Sequence, residues 1–260
     1  MFELARTPPA AVTNAIWPAA SAGGLVLGLA RNNEELEAIQ RLRYQVFTDE
    51  MNAVFPDTAD GLDVDHYDTW CEHLMVQEVD TGRVVGTYRL LTPANARNAG
   101  GYYAESEFYL AGLGDLKQEI VEIGRSCTHP DYRNGAVIML LWSGIASVVQ
   151  QLGLRYVLGC ASVSLRDDGA AAAEVWRRAR DILAASPDLP RLVPRHRYPV
   201  ERLDDVLPGR VPALIKGYLK AGAQICGEPA WDPDFNTADF PVLLDAQRMD
   251  ARYRRHFGMR

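Results

Sequence analysis

The stretch from Glu119 to Gly153, "EIVEIGRSCTHPDYRNGAVIMLLWSGIASVVQQLG", with "RYVLGCASV" directly after it, restricts the fold most. It opens as an apolar strand, breaks in a loop holding Pro, Asn and Gly, and continues as a helix with Val137, Leu141, Trp142, Ile145 and Val148 at 3.6-residue spacing up to Gly153. A strand then returns at once, so the run is a strand–helix–strand unit. Upstream, "GLVLGLA" is a short strand, and "NNEELEAIQRLRYQVF" is a helix with Asn32 as cap and Glu35 at the third position of a capping box. "HLMVQEV" and "GRVVGTYRLLTP" form a hairpin across Asp80 to Gly82. Downstream come a helix from Ala170 to Ala185, the amphipathic "VPALIKGYLKAG", and two strands in "AQICGEP" and "ADFPVLLD". This order predicts an α/β fold with a mixed central sheet flanked by helices. One domain is expected over residues 23–260, behind a loosely ordered Ala- and Pro-rich arm over residues 1–22.

Composition narrows the function classes. Of the 260 residues 48% are hydrophobic, enough for a large core, and the net charge of −7 argues against a protein that works by coating nucleic acid. No run reaches the roughly 18 apolar residues of a membrane span, and the start lacks a signal-peptide pattern, so the expected compartment is the cytoplasm. Four cysteines without a CxxC pair and five histidines without HExxH predict reduced thiols and no metal site. GxSxG, Walker and complete GxGxxG motifs are absent. Two arginine-rich stretches, "RLVPRHRYPVER" and "ARYRRHFGMR", are candidate docking surfaces for an acidic partner or an anionic membrane.

Several charges fall where apolar residues belong. Arg43 lies on the stripe of Leu36, Ile39, Val46 and Phe47; Arg89 interrupts the second hairpin strand; Glu122 and Arg125 sit in the strand of the central unit. Asp65 and Asp68 occupy an acidic loop in which Asp57 and Asp60 read as solvated. An unpaired buried charge costs several kcal/mol in practice, so these groups either pair with one another or serve a site, and in both cases they converge. Glu122 and Arg125 are three apart and would face opposite ways in a regular strand, but Gly124 between them is a natural bulge position. The loop "THPDYRNGAV" leaves free N–H groups at a helix start, a ready site for a phosphate.

The strand, "HPDYRNGA", the apolar helix and "RYVLGCAS" together resemble the pantetheine-binding core of the GNAT acyltransferases. The set "RxxxF" (Arg43, Phe47), "DHYD" (Asp65, Asp68), Arg89 and "ExxR" (Glu122, Arg125) resembles the acyl-homoserine-lactone synthases. The blocks "LRYQVFTDEM", "DHYDTWCEHLMV", "VVGTYRLL", "GGYYAESEF", "EIGRSC", "LLWSGIA", "GCAS", "LIKGYLKAGA" and "ARYRRHF" are most similar to the ornithine N-acyltransferases of ornithine-lipid synthesis.

That resemblance implies a GNAT fold and an enzyme that moves a 3-hydroxyacyl group from acyl carrier protein to the α-amine of L-ornithine. It implies no permanently bound cofactor, since the acyl-phosphopantetheine of the carrier is itself a substrate. Glu122 is the implied base and Arg125 its support. Arg43 or Arg89 would meet the substrate carboxylate, Asp65 or Asp68 its second amine, and Phe47 and Trp142 would line the acyl tunnel. Tyr132, Arg133, Asn134, Gly135 and Ala136 would meet the pantetheine phosphate. The degenerate "YRNGAV" loop suits a single phosphodiester better than a pyrophosphate. An amphiphilic product implies peripheral contact with the inner membrane. An acyltransferase acting on another amine, or a non-catalytic acyl-binding protein, are the competing readings.

Overall fold

Residues 20–51, 53, 55, 61–207 and 209–257 are described by a computed structural model. Residues 1–19 of the arm, with Asp57 and Asp60, lie outside those ranges. The end of the arm, Ser21–Ala22, forms a short strand (β1) paired with β2 (Leu25–Leu29). Helix α1 (Asn33–Met51) starts where Asn32 Oδ1 accepts the Glu35 N–H at 2.9 Å; the Glu35 carboxylate reaches back to the Arg31 N–H at 2.6 Å, one residue beyond the expected box. Its apolar stripe is buried, and Arg43 on that stripe is 0% exposed.

The hairpin is β3 (Glu72–Glu78) with β4 (Val84–Leu91). A run of short elements follows: α2 (Pro93–Ala99), α3 (Ala104–Glu107), β5 (Phe108–Tyr109) and a 3-10 segment over Leu110–Glu119. The central unit is β6 (Ile120–Thr128), α4 (Ala136–Gln151) and β7 (Tyr156–Ser164). The chain then runs through α5 (Ala170–Ala185), β8 (Val193–Pro194), α6 (Glu201–Asp204), α7 (Ala213–Ala221), β9 (Gln224–Ile225), β10 (Ala230–Asp232), β11 (Thr237–Asp245) and α8 (Ala251–His256). Apolar periodicity was too short to signal β5, β8, β10 or α3, each of two to four residues.

The main sheet has the order β1-β2-β3-β4-β6-β7-β11-β10, with β9 on β11. Its pairs are antiparallel except β6 with β7, the two strands joined through α4. Helix α4 is apolar over most of its surface and packs on β2, β3 and β4, while α1 covers β4 and β6. Two irregularities sit at the centre. Parallel pairing of β6 and β7 ends at Glu122 with Leu158, although the strands run on to Thr128 and Ser164. Between β4 and β6 the register slips by one residue: Thr87 faces Cys127 and Arg89 faces Gly124, which leaves an extra residue in β6.

The approach of α4 to β4 depends on Gly86. A Cβ there would lie 2.2 Å from Val137 Cγ1, and Val137 is fully buried. Gly86→Ala is expected to lower stability by about 1–3 kcal/mol through overpacking, read as a fall in the urea midpoint with an unchanged m-value; an unchanged midpoint would show that α4 moves away freely.

Candidate active site

The extra residue in β6 produces a bulge at Arg125, whose φ of +49° is in the left-handed region that residues with a side chain seldom adopt. Glycine was the expected bulge residue, but the unusual backbone belongs to its neighbour. The bulge turns Arg125 toward the side of Glu122, and both line a cavity of about 200 Å³. The cavity lies in the gap where the strands separate, between Ile123–Ser126 of β6 and Gly159–Ser162 of β7. Phe47, Trp142, Tyr218 and Val242 give it apolar walls. Trp142 is also core: it stacks on Phe257 at 5.5 Å and tilts against Tyr218.

Glu122 is 4% exposed, and its two oxygens accept the N–H groups of Tyr103 and Ala104, each at 2.7 Å, at the start of α3. Burial pushes its carboxyl up to about 7, and the two backbone donors and Arg89 pull the other way.

The other buried charges meet in one network. Arg43 donates from Nε to Asp63 at 2.8 Å and from Nη1 to Asp68 at 2.9 Å, with a third bond to the Asp63 carbonyl at 2.6 Å. Arg89 Nη1 bonds Asp65 at 2.6 Å and Asp68 at 2.9 Å, and Arg125 Nη2 bonds Asp65 at 3.1 Å. Three guanidinium groups thus face three carboxylates. Burial alone would raise the carboxyls of Asp65 and Asp68, but the arginines hold both below the ordinary range; burial would lower Arg43 and Arg89, and the aspartates outweigh it. The aspartates come from one short loop, in which Asp65 also caps the 3-10 turn His66–Thr69 by accepting the Tyr67 N–H at 2.8 Å. Arg89 and Arg125 line the cavity and lie over the Tyr103 ring, 5.6 and 5.5 Å from its centre; Arg43, Asp65 and Asp68 are not part of the lining.

The loop before α4 has partners of its own. Tyr132 donates its hydroxyl to Glu78 at 2.7 Å, Arg133 pairs with Glu50 and bonds the Thr128 carbonyl, and Asn134 Oδ1 accepts the Ala136 N–H at 3.0 Å. Gly135, at φ +95°, makes the turn into the helix. None of residues 132–136 lines the cavity. In the stretch from Arg191 to Arg202, Arg197 pairs with Glu201 and Glu228 and Arg195 lies 4.4 Å over the Tyr109 ring, so part of that basic character is used within the fold. No described helix is long and apolar enough to cross a membrane.

Sequence reasoning passed over Tyr103, Glu107, Asp232 and Asp239, all of which line the cavity. The last three bring one carboxylate oxygen each within 4.8 Å of one another, a spacing at which they could share a cation. A signal existed for Asp239, an acid inside the apolar strand "ADFPVLLD".

The acetyltransferase (GNAT) domain profile matches residues 42–143. An N-acyl amino acid synthase from uncultured soil microbes superposes with a TM-score of 0.53 at 10% identity, covering 89% of this chain and 94% of that one. With its sheet parted at β6 and β7 and α4 between them, the molecule is a GNAT-fold acyltransferase. The L-ornithine N(alpha)-acyltransferase of Rhodobacter capsulatus is 34% identical over 89% of this chain and 94% of its own length, and that of Agrobacterium fabrum 34% identical over 91% and 86%. The chain belongs to the L-ornithine N(alpha)-acyltransferase family.

Removing Arg43 would strand Asp63 and Asp68 without their main counter-charge. Arg43→Leu is expected to cost about 3–5 kcal/mol in urea unfolding at neutral pH. The depressed carboxyls of Asp65 and Asp68 stabilise the wild type above the ordinary carboxylate value near 4, and that contribution is lost as pH falls through their folded-state values. The raised carboxyls of Glu122 and Asp239 act in the opposite direction over the same range but are common to wild type and variant, so the stability advantage of the wild type over Arg43→Leu should shrink between pH 5 and pH 3; an advantage unchanged over that range would contradict the network's energetic role.

Proposed function

We propose that this protein transfers a 3-hydroxyacyl group from acyl carrier protein to the α-amine of L-ornithine, giving a lyso-ornithine lipid. The observation that carries the reading is Glu122: a carboxyl brought to about 7 by burial, in a cavity that opens where β6 and β7 part. In this reading the pantetheine arm enters between those strands, adding its amides to backbone groups left without a strand partner. The amine attacks the thioester carbonyl, forming the C–N bond. The C–S bond then breaks and the thiolate leaves, taking up one proton. Glu122 accepts the proton that the attacking nitrogen loses, and a carboxyl near 7 is matched to that task at neutral pH. Backbone N–H groups of the parted strands would steady the oxyanion.

Arg125 and Arg89 are the cavity's cations, and we assign them the α-carboxylate of the acceptor. Arg43, Asp65 and Asp68 then act as positioning residues, fixing those two guanidinium groups rather than touching substrate. Phe47 and Trp142 bound the acyl chain. Residues Tyr132 to Ala136 meet the phosphodiester of the donor; because Arg133 and Asn134 already have partners, the loop suits one phosphate rather than two. The product is amphiphilic, and its release at the inner membrane surface belongs to the same reading.

The test is acylation assayed by mass spectrometry, with 3-hydroxyacyl carrier protein as donor and a panel of amines. N-acylated ornithine is expected. Glu122→Gln should lose at least about 100-fold in kcat/KM while its thermal midpoint shows a folded protein. Because the base is the carboxylate, wild-type activity should rise as pH increases through about 7. Near wild-type turnover in the variant would remove Glu122 as base, and consumption of another amine with ornithine left intact would overturn the assignment.

A further inference from the structure

Across from the β6 wall, the cavity carries three carboxyl groups that acyl transfer itself does not use. Glu107 ends α3, Asp232 ends β10, and Asp239 lies in β11 opposite Ser162 of β7. One oxygen of each lies within 4.8 Å of the others, and all three residues line the cavity. Asp239 is 2% exposed; its Oδ1 and both Glu107 oxygens make no well-aligned hydrogen bond among the described residues, and their polar company is each other, with Tyr103 and Cys160 at Glu107 and Ser162 and Thr237 at Asp239. Asp232 is fixed differently, its Oδ1 accepting the N–H groups of Asp234 and Phe235 at 2.9 and 3.1 Å. The nearest polar neighbours, Tyr103, Cys160, Ser162 and Thr237, are neutral. Burial, then repulsion by the adjacent carboxylates, pushes Glu107 well above the ordinary range and Asp239 up to about 6. Buried carboxylates with only neutral donors around them are costly to keep ionised, so a cation entering this pocket would be favoured there.

The cluster shares its surroundings with the base. Cys160 of β7 lines the same cavity as Glu107, Glu122 and Asp239, and its thiol is raised by burial and by the charges of all three. A molecule with its reacting amine at Glu122 and a second ammonium a few bonds away would reach both. An ammonium offers three donors to three carboxylates, whereas a hard divalent ion needs six or more oxygens in its shell. We propose that Glu107, Asp232 and Asp239 form the subsite for the side-chain ammonium of a diamino-acid acceptor, an inference that rests on the acyl-transfer reading above. The subsite does two things. It selects an acceptor with a second cation, and it keeps that nitrogen protonated and therefore non-nucleophilic, so that only the α-amine reacts at Glu122.

The experiment compares kcat/KM for ornithine and for norvaline, which has the same carbon skeleton without the terminal amine, in the wild type and in Asp239→Asn and Glu107→Gln. The wild type should favour ornithine strongly, and each variant should cut the ornithine-to-norvaline ratio by about 10- to 100-fold, with the change carried by KM for ornithine. An equal loss on both substrates, or an unchanged ratio, overturns the subsite. A wild type that acylates both amino acids equally overturns the subsite and leaves the acyl-transfer reading standing, whereas one that acylates neither overturns that reading itself. Calorimetric titration with Mg²⁺ or Mn²⁺ separates the remaining occupant: micromolar binding lost in Asp239→Asn would make this a metal site and defeat the proposal.

Discussion

Three arginines, Arg43 and Arg89 buried and Arg125 partly so, set the terms for the rest of the molecule from beneath α1 and the centre of the sheet. None could be taken out of water alone, since an uncompensated interior charge costs several kcal/mol, and each is answered by an aspartate from the loop between Asp63 and Asp68. The loop has to be held tightly for this to work, which is why Asp65 and Asp68 also close the 3-10 turn around their own backbone. The same network makes the strained backbone of Arg125 tolerable. With Asp65 on its guanidinium and the rings of Tyr103 and Phe235 against its face, the side chain is fixed from several sides, and a left-handed residue persists where its surroundings over-determine it.

From that bulge the asymmetry of the cavity follows. On the β4 and β6 side, the positive groups are neutralised at their backs by the loop, yet Arg89 and Arg125 still present a face to the cavity. On the β10 and β11 side, the carboxyls have no such counter-charges among the described residues. Glu122 stands where the strands part, its carboxyl raised by burial and restrained by two backbone donors. An amino acid with one carboxylate and two amines matches that distribution group for group. Its fit depends on charge placement rather than on apolar shape, which leaves the apolar walls free for an acyl chain.

Much of this was legible in the sequence. Arg43 declared itself by falling on an apolar helix stripe, and Glu122 and Arg125 by occupying opposite faces of a strand with a glycine between them. Which partner each would take was not legible: five aspartates crowd one segment, and only the folded loop shows that Asp63, absent from the expected site, pairs with Arg43. The loop before α4 reveals its partners only in the fold. Its polar residues look available in the sequence, but Arg133 and Asn134 have intramolecular partners brought by α1 and by the helix start. Asp239 carried the same kind of signal as Arg89. It lacked a motif around it, and its companions, Glu107 and Asp232, lie in elements of four and three residues that give no periodicity.

One of those elements, α3, touches two parts of the site. The start of α3 holds Glu122 through the Tyr103 and Ala104 N–H groups, and Glu107 is the last residue of the same turn. Three residues of helix rise by about 4.5 Å, so this one turn carries both the N–H groups that hold Glu122 and the Glu107 carboxylate. Glu122 itself belongs to β6, so a tilt of α3 would carry Glu107 along and strain the two hydrogen bonds that tie Glu122 to the turn. Those two hydrogen bonds thus couple the position of Glu107 to the strand that parts from β7.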